Sequence, residues 1–298
     1  MFFRSRFILA QLILILALGA SACGSLFGTS STPTPVLPTS TSVPPTPTPP
    51  PSVAEVDGEY ITQADFDSEL SRYKSAQQAM GKTVTDQDAS KAVLDDMIAQ
   101  VLLAQGAEAE GFHLTDADVQ SRVDALTKQL GSADALSKWE SAHGYTDELF
   151  RLDLKRSAEA AWMRDKIVAA VPSTAEQVHL QQILTYNQDD ANAALEQLKG
   201  GADFADLAAQ YDPVTHGELG WVPRGYLLDA NVETAAFSLD VGAYSDVIST
   251  PSGFHIIKVL ERDPNHPLSP DALLALQETA LQNWVQQKRA GSKITLAP

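Results

Sequence analysis

At residue 178 the apolar pattern of the chain changes period, and that change most constrains what it can fold into. In VHLQQIL (178–184) the side chains of Val178, Leu180, Gln182 and Leu184 share one face. In FHIIKV (254–259) His255 shares a face with Ile257 and Val259. A period of two is that of a strand with one face turned inward. Gln182 and His255 are therefore expected to point towards a core. Between these strands run GELGWVPRGYLL (217–228) and AAFSLDVGAYSDVIST (235–250), and PSG leads into the second strand.

Before residue 178 the period is helical. Thr62 can cap a helix with Asp65 three residues on, and Phe66, Leu70, Tyr73 and Met80 follow at helical spacing. Val93, Leu94, Met97, Ile98, Val101 and Leu102 mark a helix over about 89–106, and Val119, Val123, Leu126 and Leu130 mark one from Thr115. Shorter elements are expected near 133–141. A long helix from Thr146 runs through Leu149, Leu152, Arg156, Ala160, Met163 and Ile167 until Pro172 stops it. These stripes predict a helical core. Pro264 to Pro270 reads as a break, followed by a last helix over 271–288 with Leu273, Leu274, Leu276, Leu281, Trp284 and Val285. That helix needs a partner for its apolar face, and Lys293 to Leu296 can add a short strand.

The N-terminus has the form of a secretory signal: Arg4 and Arg6, an apolar run from Phe7 to Leu18, then Gly19-Ala20-Ser21-Ala22-Cys23. Cys23, the one cysteine of the chain, stands where a bacterial lipoprotein signal places its acceptor. A signal cleaved elsewhere, leaving a free thiol, is the alternative. Residues 25–52 are almost wholly Ser, Thr and Pro and cannot bury enough apolar surface to fold. As a polyproline-like tether they would reach about 90 Å. Loss of residues 1–22 removes two arginines, taking the net charge from -17 to -17 - 2 = -19. Such a chain is a poor partner for nucleic acid and is repelled by anionic headgroups, so a lipid on Cys23, not charge, would hold it at a membrane. With no second cysteine, the exported chain depends on core packing without disulfides.

The segment 217–259 resembles the signature half of the parvulin peptidyl-prolyl isomerases. That family has, in the same order, a GDLGW-type turn, an RGQM-type pocket edge, a helix ending in an FSL-type triplet, an xGxxS loop and a GYHIIKV-type strand. The likeness extends upstream through GGADFADLAAQY to cover residues 178–262. The opening VAEVDGEYITQADFDSELSRY, the segment VLDDMIAQVLLAQGAEAEGFHLTDADVQSRVDAL and the order of the modules are similar to the foldases PrsA and SurA. The resemblance implies an α+β chain: a helical SurA/PrsA-like N-terminal domain completed by a C-terminal helix, with an inserted parvulin domain whose small antiparallel sheet is flanked by helices. The expected divisions are 1–22 (signal), 23–52 (lipid-attachment cysteine and tether), 53–173 (helical chaperone domain), 174–263 (isomerase domain) and 264–298 (helix returning to the N-terminal domain).

The resemblance also implies a site. Parvulins pair two histidines on the two strands, and here the positions hold Gln182 and His255. The next polar position falls at Asp212. The proline pocket would be lined by Leu219, Val222, Leu227, Val232 and Phe237, with Thr250 and Ser252 at its rim. Gln for His, Leu for Met at 227 and Val for Phe at 232 depart from the family pattern and predict weakened or altered turnover. The basic loop of phosphate-reading parvulins has no counterpart in TYNQDDANAAL after Leu184.

The reaction needs no cofactor, and its substrates would be unfolded exported polypeptides with X-Pro bonds. His113, His143, His179, His216 and His266 show no metal-ligand spacing, and no GxSxG, P-loop or GxGxxG motif occurs. The paired carboxylates Asp95-Asp96 and Asp189-Asp190 read as solvated faces, and Trp139, Trp162 and Trp284 as packing residues. His255 can equally be a satisfied core histidine. A holdase with a degenerate isomerase domain is the alternative function, and a structural lipoprotein without either activity is a third reading.

Overall fold

The computed structural model describes residues 51–297. The expected signal, Cys23 and the tether up to residue 50 lie outside them. The chain divides into two compact units, one holding the residues up to Val101, Asp116–Leu154 and those from Lys293, the other Leu102–Thr115 and Lys155–Ser292.

The first unit opens with strands β1 (Ser52–Val56) and β2 (Glu59–Thr62). Asp57 and Gly58 both have positive φ, 50° and 92°, as the tight turn of a two-residue hairpin requires. Thr62 ends β2 and caps helix α1 (Gln63–Ala79), its hydroxyl accepting from the Asp65 N–H at 3.1 Å. Helices α2 (Asp86–Ala109), α3 (Asp116–Leu130), α4 (Ala133–Ala142) and α5 (Asp147–Ala169) follow. Ile61, Val93, Ile98, Val101, Val119, Val123, Leu136 and Phe150 are buried in this unit. The apolar stripes overreach at their ends: Met80 and Leu130 are each 42% exposed, because one follows α1 as its cap and the other is the last residue of α3. Leu152 is also exposed. The last strand, β7 (Ile294–Leu296), pairs antiparallel with β1 and gives a sheet of order β2-β1-β7. Asp57 secures that pairing, donating its N–H to Lys293 O at 3.0 Å and accepting the Lys293 N–H on Oδ1 at 2.7 Å.

The second unit is built on strands β3 (Thr174–Thr185), β4 (Glu218–Pro223), β5 (Ile248–Thr250) and β6 (Gly253–Pro267). They form an antiparallel sheet of order β4-β3-β6-β5. Helices α6 (Gln188–Lys199) and α7 (Phe204–Tyr211) supply Leu195, Leu198, Phe204 and Leu207, which pack with Ile183 and Ile256. Helix α8 (Ala230–Ser238) supplies Val232, Ala236 and Phe237, which pack with Val178, Leu180, Ile257 and Val259. Alternation along β3 and β6 thus feeds two cores, one on each face of the sheet.

Pro264 to Pro270, expected as a break, is mostly strand. β6 continues to Pro267, with Ala175 opposite His266 and Thr174 opposite Pro267. Gln177, buried, donates from Nε2 to His266 O at 2.8 Å and Pro267 O at 3.1 Å. The registers with β3 and β5 leave this end of β6 on the sheet's edge, where a proline without N–H costs no ladder bond.

Ser269 caps the last helix, α9 (Pro270–Gly291), with Pro270 in its first turn. Its Trp284 covers Gly106 so closely that a Cβ there would lie 2.5 Å from the indole. Nearby in sequence, Phe112 and Trp162 stack at 4.8 Å with planes 1° apart. Leu274, expected in the apolar stripe of this helix, is exposed.

Candidate active site

Gln182 and His255 meet across the β3–β6 ladder. Gln182 faces Ile257 and His255 faces Leu184, so the two side chains are diagonal neighbours on one face of the sheet. The Gln182 Oε1 accepts from His255 Nδ1 at 3.0 Å. That bond puts the imidazole proton on Nδ1 and leaves the lone pair on Nε2. Burial holds the His255 pKa below the ordinary imidazole range, against a smaller upward pull from Asp229, so the ring is neutral near pH 7.

Nε2 of His255 lies 3.0 Å from the Thr250 hydroxyl and 3.4 Å from that of Ser252. The two hydroxyls are 2.9 Å apart, and Thr250 also lies within bonding distance of Gly253 O at 3.1 Å. A threonine hydroxyl has one proton, so Thr250 donates to either Nε2 or Gly253 O at a given moment. When it turns to Gly253 O, Ser252 is the donor left for Nε2. The result is a small hydroxyl relay on a neutral imidazole, with Gln182 anchoring the opposite ring nitrogen.

Beside this network stands an apolar wall. Val222, Val232 and Phe237 are buried in the core cluster on the α8 side, with Leu219, Tyr226 and Leu227 packed against it. The residues expected to line the pocket therefore gather in one place. Two arginines brace the wall: Arg224 lies 4.0 Å over the Phe237 ring, and Arg262 donates to Phe237 O at 3.2 Å and Leu239 O at 2.9 Å at the end of α8. Both also bond Glu176. Their positions in the sequence bear no relation to α8, so no local pattern pointed to them.

The glycine-containing motifs have specific work in the ladder. Gly217 has φ 71° and donates no side chain: a Cβ there would lie 2.0 Å from Gln182 O. This approach lets Gln182 N donate to Gly217 O at 2.8 Å and ties the loop to the site strand. In the loop after α8, Ser245 is buried, its Oγ accepting the Ile257 N–H at 3.0 Å while its own N–H donates to Ile257 O at 2.8 Å.

Asp212 is placed differently from the histidine network. Its carboxylate accepts from the Thr215 hydroxyl, from the Thr215 N–H at 3.1 Å and from the Val214 N–H at 3.0 Å. Those bonds hold its carboxyl below the usual carboxylate range. Among the described residues they tie Asp212 to its own turn rather than to His255 or Gln182. The carboxylate whose field reaches His255 is Asp229, a residue that sequence reasoning missed. It caps α8, with Oδ1 accepting from Asn231 N at 2.9 Å and Val232 N at 3.2 Å. An Asp three residues before the apolar Val232 was the signal for this cap.

A family model described as a PPIC-type PPIASE domain matches residues 171–273, and one described as a SurA-like N-terminal domain matches residues 4–135. The foldase protein PrsA of Caldanaerobacter subterraneus is 30% identical over 228 residues, covering 69% of this chain and 72% of that protein. PrsA of a Geobacillus species is 27% identical over 188 residues, covering 60% of this chain and 66% of its own. A crystal structure of the peptidylprolyl isomerase PrsA of Bacillus anthracis, 24% identical, is matched over 68% of this chain and 99% of that one with a TM-score of 0.41. The chain spans 66% and 42% of the length of the first two curated relatives it matches. With an isomerase-type domain following a SurA-like one, and a PrsA relative matched over most of its length, this chain belongs to the PrsA foldase family.

Proposed function

We propose that this protein is an extracytoplasmic peptidyl-prolyl isomerase, tethered by a lipid on Cys23, that assists the folding of exported proteins. The observation that carries the reading is the neutral His255 bonded to Gln182 and facing the Thr250 and Ser252 hydroxyls, beside the wall of Leu219, Val222, Leu227, Val232 and Phe237. Rotation about a prolyl bond breaks amide resonance against a barrier of roughly 18–20 kcal/mol. Along the path the dipolar planar amide gives way to a twisted one with less charge separation. An apolar recess that takes the proline ring and strips water from the amide favours the twisted form. His255 and Gln182 position the two hydroxyls at the edge of that recess. Nothing in this chemistry calls for a metal or cofactor.

Slow prolyl steps limit the folding of many chains, which gives such an enzyme its use at the site of export. The signal-like residues 1–22 and the small residues before Cys23 support the location and the anchor. The test is cis/trans exchange of an alanine-proline peptide, read by NMR or a coupled protease, for the full chain and for His255→Ala. Turnover that collapses in the variant is the expected result, and equal baselines would overturn the reading. The mass of the mature N-terminus checks the lipid, and an unmodified Cys23 removes the anchor.

A second reading, a holdase whose isomerase domain is degenerate, is favoured by Gln182 in place of a second imidazole and by the match to a SurA-like domain, a relative of which is named as a chaperone. Suppression of client aggregation by a chain without measurable turnover would select it.

A further inference from the structure

We propose that Asp229 gives the pocket a preference for substrates with Lys or Arg beside the proline, and a bias against acidic or phosphorylated neighbours. The inference deepens the isomerase reading and rests on it.

Asp229 stands between two parts of the apolar wall. Leu227 precedes it by two residues and packs on the core cluster, and Val232, three residues on, is buried in that cluster and held by its N–H bond to Asp229 Oδ1. Leu228, adjacent to it, is fully exposed, so this turn faces solvent. The cap fixes the carboxylate through Oδ1, which accepts from Asn231 N and Val232 N. A negative charge thus sits on a rigid element between two pocket residues. Its field reaches His255 on the far strand, as the upward pull on that imidazole records.

The neighbouring cations do not offset it. Arg224 is bonded to Glu176 and lies over Phe237, and Arg262 is bonded to Glu176 and the end of α8. Opposite charges favour encounter and bound state alike, and like charges oppose both. Because Asp229 is partly exposed, the effect is that of a screened surface pair, about two- to fivefold in kcat/KM at low salt.

The test measures kcat/KM of the full chain for two peptide series, varying the residue before and the residue after proline among Lys, Ala, Glu and phosphoserine. Lys above Ala above Glu in at least one series, with the spread shrinking in high salt, is expected. Asp229→Asn is the deciding variant. Asparagine caps a helix as well as aspartate does, so it keeps α8 and the wall while removing the charge. Flattening of the charge-dependent spread in Asp229→Asn, with lysine and glutamate peptides turned over at equal rates, supports the proposal. Equal rates for all peptides in the parent chain, or a spread that persists in Asp229→Asn, overturns it and leaves the isomerase reading standing. Absence of turnover with every peptide sinks both.

Discussion

Gln182 and His255, 73 residues apart in the chain, share a 3.0 Å hydrogen bond that fixes the imidazole tautomer on the sheet face that carries the buried Ile257. Because glutamine is uncharged at every pH, this pair has one titrating member. Coupled titration of two imidazoles, the complication of a histidine pair, does not arise here.

Gln182→Leu removes the acceptor of the Nδ1 proton without emptying the site. A buried donor left unpaired costs about 1–3 kcal/mol. Lower stability in urea and at least a severalfold loss of isomerisation are expected, and unchanged values in both would show that the bond is ornamental. Gln182→His, which can still pair with His255, should retain or raise turnover.

The depressed pKa of His255 sets an acid limit. In the unfolded chain the imidazole takes up its proton near pH 6.5, and in the folded chain at lower pH. The unfolded state therefore binds more protons in that window, and its contribution to stability is complete above the unfolded value and declines as pH falls through the folded one. Activity should stay level around neutrality and fall on acidification, with a midpoint below that of a free imidazole. In Asp229→Asn the midpoint should move lower still, because the carboxylate that raised it is gone. NMR titration of the His255 ring protons reads both shifts.

Gly217→Ala should damage the isomerase domain more than any loop substitution of its size. The new Cβ meets the Gln182 carbonyl at 2.0 Å while the backbone sits at φ 71°. A loss of more than about 2 kcal/mol is expected from the combined clash and strain. Thermal unfolding of the variant, with a transition no lower than that of the parent, would contradict it.

Asp212→Ala should lower the melting temperature through loss of the turn bonds to Thr215 and Val214, and leave the isomerisation rate of the folded protein within about twofold. Asp212→Asn, which keeps an oxygen for the two N–H groups, should recover the stability. A large fall in kcat with normal melting would instead place Asp212 in the chemistry.

Much of this was legible in the chain. The Thr62 cap, the helices up to Pro172 and the faces of Gln182 and His255 follow from local rules of period and capping, while the residues of the apolar wall came from the likeness of segment 217–259 to the parvulins. Less legible were features that depend on a partner far away in sequence. Pro264 and Pro267 read as breakers, yet they end a strand because that part of β6 lies on an edge. Met80 and Leu130 continue their stripes and are still exposed, since a periodic pattern does not state where its packing surface ends. Asp229 was hidden by uncertain register around residues 228–231, where spacing alone could not tell which residue faces the site.

The sequence by itself determined the order of elements, their inward faces and the residue types available to the site, because backbone propensity and apolar period act over a few residues. Only the tertiary structure decided which of those residues meet. The β3–β6 register brings Gln182 diagonal to His255, the turn at Gly217 docks on Gln182, and the cap of α8 brings the charge of Asp229 to bear on the imidazole. Burial of His255 and the field acting on it arise from groups far apart in the chain, and such desolvation and Coulomb effects depend on distance in space, which a linear pattern does not contain.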